Sequence, residues 1–178
     1  MWSHSGHHGR MVLDPNDLVH DFAVSAGRAS IAGWSRRLRD SLHAELLPAP
    51  HERPKRLPEG FAAVYAFAVG AKAGACAPCG AGSVLKVDRV GASNNRRFRS
   101  SHYRADGPRS TLARSLVTYP IMWPWLGIDH LDHDTVAPWM LAHLDRIHVF
   151  VPDGYPEVLA ALEVYARARM GSVFEGAA

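Results

Sequence analysis

Leu85-Lys86-Val87-Asp88-Arg89-Val90-Gly91, followed by Asn95-Arg96-Arg97-Phe98 and Ser101-His102-Tyr103, is the stretch whose reading decides the fold. It predicts a short strand over 83–91 running into an arginine-dense helix, with Ser93 or Asn94 as the cap. Upstream, Ala63-Val64-Tyr65-Ala66-Phe67-Ala68-Val69 has the composition of a partner strand over 61–69. A stretch rich in Gly, Ala and Cys separates the two, which suits an antiparallel hairpin with a long loop. In that pairing Tyr65 falls opposite residues 86 to 90.

Working outward, Ser110 is expected to cap a helix bearing Leu112, Ala113, Leu116 and Val117. Residues 119–134 read as a loop with prolines and tryptophans, 135–144 as a short helix, and 145–151 as a third strand. Pro152-Asp153-Gly154 turns the chain into a last helix over about 155–170. The order of elements predicts an α+β fold, a small three-stranded antiparallel sheet flanked by helices. On the N-terminal side, residues 1–13 read as a disordered tail and Asp14-Pro15 as a helix opening. Ile31, Trp34, Leu38, Leu42 and Leu46 fall on one helical stripe, so 14–47 is expected to be a helical arm, packed on the core, dimerising or touching DNA. Four prolines make 48–60 a linker, and 61–176 the main domain.

With 178 residues, 47% of them hydrophobic, the chain can bury one core. Two cysteines exclude a disulfide framework, no apolar run is long enough for a bilayer, and the first ten residues lack the apolar centre of a secretory signal. A cytoplasmic protein is expected. The net charge of +3 means less than its distribution. Arg96, Arg97, Arg99, Arg104, Arg109 and Arg114 crowd one segment opposed only by Asp106. They form either a solvated face or a phosphate-binding surface, with nucleic acid, DNA first, as the partner.

Taken together these pieces resemble the GIY-YIG endonuclease family over residues 60–176. Ala63-Val64-Tyr65 matches the first motif and Lys86-Val87-Asp88 occupies the second; Arg97 matches the family arginine and Glu163 the metal-binding glutamate. Arg97-Phe98, Ser101-His102-Tyr103, Leu112-Ala113-Arg114-Ser115 and the terminal Phe174-Glu175-Gly176 look like a bacterial branch. Lys86 stands where the second motif has tyrosine and Asp88 where it has glycine, so an acid sits where a phosphate would come. The resemblance implies a divalent-metal-dependent endonuclease using one Mg²⁺ or Mn²⁺ ion at Glu163. Arg97 would take the scissile phosphate, Tyr65 would act as general base, Lys86 would supply a second cation, and His102 would donate to phosphate or relay a proton.

Each residue also has a structural reading. Tyr65 is a plausible core aromatic, Arg97 a surface charge, His102 a helix-end residue, and Glu163 a helix residue bordering the stripe of Val158, Leu159, Leu162 and Ala166. Two further functions stay open. One is a nucleic-acid-binding module of the same fold, catalytically impaired through Lys86 and Asp88. The other is a structural or zinc-binding protein using Cys76, Cys79 and the loop Asp129-His130-Leu131-Asp132-His133-Asp134.

Overall fold

In the computed structural model, which describes residues 14–74, 76, 79–107 and 111–174, the chain begins with helix α1 (Pro15–Ala29) and a one-turn helix α2 (Arg36–Arg39). Strands β1 (His43–Leu47), β2 (Phe61–Val69) and β3 (Val84–Val90) follow, then helix α3 (Asn95–Arg99) and a 3₁₀ turn at Ser101–Tyr103. Helix α4 (Leu112–Thr118), the single turn α5 (Trp123–Leu126), α6 (Val136–His143), β4 (Leu144–Pro152) and α7 (Pro156–Met170) complete the order. The sheet is open and antiparallel with strand order β1-β4-β2-β3. The class is α+β, but the sheet has four strands rather than three.

The extra strand is a correction. Leu42 and Leu46 were expected on a helical stripe, yet His43–Leu47 runs antiparallel to β4, with Glu45 opposite His148. α1 ends where Ser30 (φ 52°) adopts left-handed backbone, and α2, begun after Gly33 (φ 79°), stops after one turn at Asp40. Once the chain is released, the free edge of β4 takes it, and the His43 ring stacks on Phe150 at 4.8 Å. Pairing with a neighbour overrides local spacing.

Strand alternation divides the interior in two. On one face Leu18, Phe22 and Ala26 of α1 and Val158, Leu162 and Ala166 of α7 pack against Val64, Ala66, Val87 and Val149. On the other, Phe98, Leu112, Leu116 and Met140 pack against Tyr65, Phe67 and Phe150. β2 and β4 are thus covered on both sides, which explains their near-continuous apolar runs. Caps fix the helix starts. Asp14 accepts from the Asn16 N–H at 2.8 Å, Asn94 from the Arg97 N–H at 3.1 Å, and Thr111, not Ser110, from the Arg114 N–H at 3.1 Å. Ser110 itself lies outside the described residues. β3 is an edge strand, and the Val173 and Phe174 N–H groups donate to its Val84 and Leu85 carbonyls at 3.1 and 2.7 Å. No helix among the described residues is long and apolar enough to cross a membrane.

Candidate functional site

Arg97 and His102, from the segment after the hairpin, converge on the Asp88 carboxylate of β3. β3 holds Asp88 directly opposite Tyr65, within the range expected for that pair. Its Oδ2 accepts from Arg97 Nη2 at 2.5 Å and from His102 Nε2 at 2.9 Å, while Oδ1 accepts from the Arg89 backbone N–H at 2.8 Å. The Leu112 N–H donates to His102 Nδ1 at 3.3 Å, so the remaining ring proton sits on Nε2 and points at Asp88. Burial lowers the His102 pKa against the pull of Asp88, leaving a neutral imidazole at pH 7. Burial also pushes the Asp88 carboxyl up, but the hydrogen bond from His102 and the Arg97 guanidinium outweigh it and hold the pKa at about 2.

Tyr65 is 1% exposed. Burial, and then the neighbouring Asp88 charge, raise its pKa well above the ordinary value, against the pull of Arg146 and Arg97. Arg97 lies near enough to favour a phenolate, yet the hydroxyl has no aligned hydrogen-bond partner. The phenol is therefore protonated at rest.

Glu163 reaches the same place from the opposite face of the sheet. From α7 it meets β3 at its edge, where Oε2 accepts from Arg89 Nε at 3.0 Å and Oε1 from Arg167 Nη2 at 2.8 Å. Asp88, Arg89, Arg97, Glu163 and Arg167 line one open hollow of about 540 Å³. Arg97 and Glu163, far apart in the chain, thus share a cavity, while Tyr65 is buried behind Asp88 and does not line it. Lys86 and His102 do not line it either. Lys86 is buried opposite Phe67, close enough to His102 to help lower its pKa. The arginine cluster does not form one surface. Arg96 and Arg99 line a separate hollow, Arg104 is paired with Asp106 at 2.9 Å, and Arg114 faces a third hollow with Asp106 and His133. Arg109 lies outside the described residues.

Arg146 went unread in the sequence, yet it organises the site from below. It is fully buried on β4, its guanidinium 4.8 to 5.8 Å from the ring centroids of Phe98, Tyr65, Phe67 and Tyr103. It donates to the Phe98 carbonyl and to Tyr103 Oη, tying down the end of the helix that carries Arg97. The signal was Arg146 and His148 at strand spacing inside an otherwise apolar run, where two polar residues on one buried face need partners.

Two carboxylates, Asp88 and Glu163, face the hollow. Magnesium or manganese needs only one or two carboxylates together with water and phosphate oxygens, so Glu163 suits such an ion only once it releases both Arg89 and Arg167, while Asp88 is engaged by Arg97 and His102. Among the described residues no group of three or more His, Cys, Asp or Glu is arranged to hold a metal. Cys76 is exposed and Cys79 buried, and Asp132 is committed to the Asp134 N–H and to the N–H and hydroxyl of Thr135. Compared with protein-family models, curated proteins and solved structures, the chain matches none.

Proposed function

We propose that this chain is a divalent-metal-dependent endonuclease that hydrolyses phosphodiester bonds in nucleic acid, with DNA the first candidate, along GIY-YIG lines. One observation carries the reading: an arginine and a glutamate from opposite faces of the sheet line a single hollow, with Asp88 beside them. Arg97 is the phosphate ligand, because a planar guanidinium grips phosphate with paired, charge-assisted hydrogen bonds that strengthen as charge builds in the transition state. Glu163 would hold a magnesium or manganese ion, which when bound polarises the phosphate and stabilises the leaving oxygen. Tyr65 lies behind Asp88 and outside the hollow, so it serves as general base only when Asp88 moves aside and cationic charge lowers its pKa, because burial holds it protonated at rest. Arg146 and His102 are positioning residues, the first holding the end of α3 and the second the Asp88 carboxylate.

A second reading rests on Asp88 itself. Its carboxylate already occupies Arg97, as a phosphate oxygen would, and Glu163 is held by two arginines. On this reading the chain binds nucleic acid without cutting it. Supercoiled plasmid separates the two. The nuclease nicks it in magnesium or manganese and not in EDTA, and Glu163→Gln lowers the rate by roughly a hundredfold or more while DNA binding persists. Asp88→Gly frees Arg97 and raises the rate. Wild-type protein that binds plasmid and never nicks it, with or without Asp88→Gly, leaves the binding module as the answer.

A further inference from the structure

Helix α3 stands between two hollows. Arg97 faces the one just described, whereas Arg96 and Arg99 face another, of about 430 Å³. The other cations of this second hollow, Arg53 and Lys55, come from the proline-rich segment before β2. That segment was expected to be a linker, yet it is tied down along its length. The His51 N–H donates to the Leu141 carbonyl at 3.0 Å, and the Leu57 N–H donates to Asn95 Oδ1 of α3 at 2.8 Å. Pro54 and Leu57 are buried, and the Arg53 guanidinium lies over the Tyr103 ring at 5.4 Å. The anchoring presents Arg53 and Lys55 beside the arginines of α3 instead of leaving them on a loose connection.

The two hollows differ in charge. The first balances three arginines against two carboxylates. The second gathers four cations, and among the described residues no carboxylate lines it or pairs with any of the four. Like charges held together without a counter-ion repel, so such a site is complementary to a polyanion.

We propose that the hollow of Arg53, Lys55, Arg96 and Arg99 docks the sugar-phosphate backbone of the nucleic acid, holding phosphates next to the one presented to Arg97. The inference rests on the nucleic-acid partner proposed above and not on cutting. A helix is about 10 Å across, the distance covered by roughly three nucleotides of one strand. One strand crossing α3 reaches both hollows, whereas a single lipid headgroup fills only one.

The test measures binding of the full chain to a labelled duplex oligonucleotide, in EDTA, over a series of salt concentrations. Arg53→Ala with Lys55→Ala lowers affinity roughly fivefold to tenfold per lost contact near about 0.1 M salt, and makes the log–log salt slope shallower by about two. Lys55→Ala alone leaves the Arg53–Tyr103 contact intact and makes the slope shallower by about one, which separates docking from a folding defect. Unchanged affinity and slope in both variants overturn the proposal, even if the wild type nicks plasmid. It is also overturned if the wild type ignores the oligonucleotide but binds phosphatidylserine vesicles in a Lys55-dependent way. A shift in slope without plasmid nicking supports this docking site while removing the nuclease reading.

Discussion

The two faces of the sheet are built on opposite terms. Toward α1 and α7 the interior is apolar: Leu18, Phe22, Val64, Val149, Val158 and Leu162 carry no polar group into it. Toward α3, α4 and α6, Lys86, Asp88, His102, Arg146 and His148 are all buried, the last three among aromatic rings. Burying charge is unfavourable unless hydrogen bonds and opposite charges offset it. A fold that needed only stability would have two faces like the first. The difference teaches that both faces pack a core, but only one also buries ionisable groups that must find partners there. The overlooked strand β1 belongs to this division, because Glu45 on it meets His148 Nδ1 at 3.2 Å, and His148 lies opposite Tyr65 on β4.

Substitutions that respect or violate this division sharpen it. Phe22→Ala, on the apolar face, is expected to cost about 3–5 kcal/mol in denaturant unfolding, because Trp34 and Tyr165 pack on that ring and cannot fill the gap. A loss below about 1 kcal/mol there would place the weight of stability elsewhere. On the polar face the lever is acid. His102 and His148 have pKa values depressed by burial, so their neutral forms stabilise the fold above about pH 6.5, and that contribution is lost as pH falls. The Asp88 pKa is depressed from 3.8 to about 2, so its contribution, about 2 kcal/mol, is present above pH 4 or so and disappears as pH falls toward 2. Chemical unfolding across this range should show both declines, and Asp88→Asn should remove the lower one and deepen the upper one, because the Asp88 charge opposes the burial that lowers the His102 pKa. The smallest effect is expected from Tyr103→Phe, which deletes one acceptor of Arg146 at a cost of about 0.5–1.5 kcal/mol. A larger loss would mean that the buried guanidinium depends on that hydroxyl more than on the surrounding rings.

Much of this was legible before any coordinates. Strand periodicity located the hairpin and put Tyr65 opposite the right segment, the cap at Asp14 was readable from residue type, and that of α3 was narrowed to Ser93 or Asn94, of which Asn94 caps. Tyr65, Arg97 and Glu163 were expected on one cleft; Arg97 and Glu163 share a hollow, and Tyr65 lies buried outside it. The rest was hidden for physical reasons. Leu38, Leu42 and Leu46 recur every fourth residue, which imitates a helix face, and only the free edge of β4 decides otherwise. The pairing of Glu163 with Arg167 is a one-turn neighbour relation, but its partner Arg89 depends on how α7 lies across β3. Lys86 and His102 were expected near the reacting atoms because residue type carries no information on depth, and packing sends both into the interior.

The two backbone bonds that Val173 and Phe174 make to β3 matter beyond the site. An outer strand with bare amides and carbonyls is a template for another copy of itself, and here Val173 and Phe174 cover part of that template. A chain shortened to Met170 should keep its helices and still associate through the uncovered strand, becoming prone to oligomers that the longer chain resists. The tail is then a guard against self-stacking, and anything fused close behind Phe174 competes with that duty.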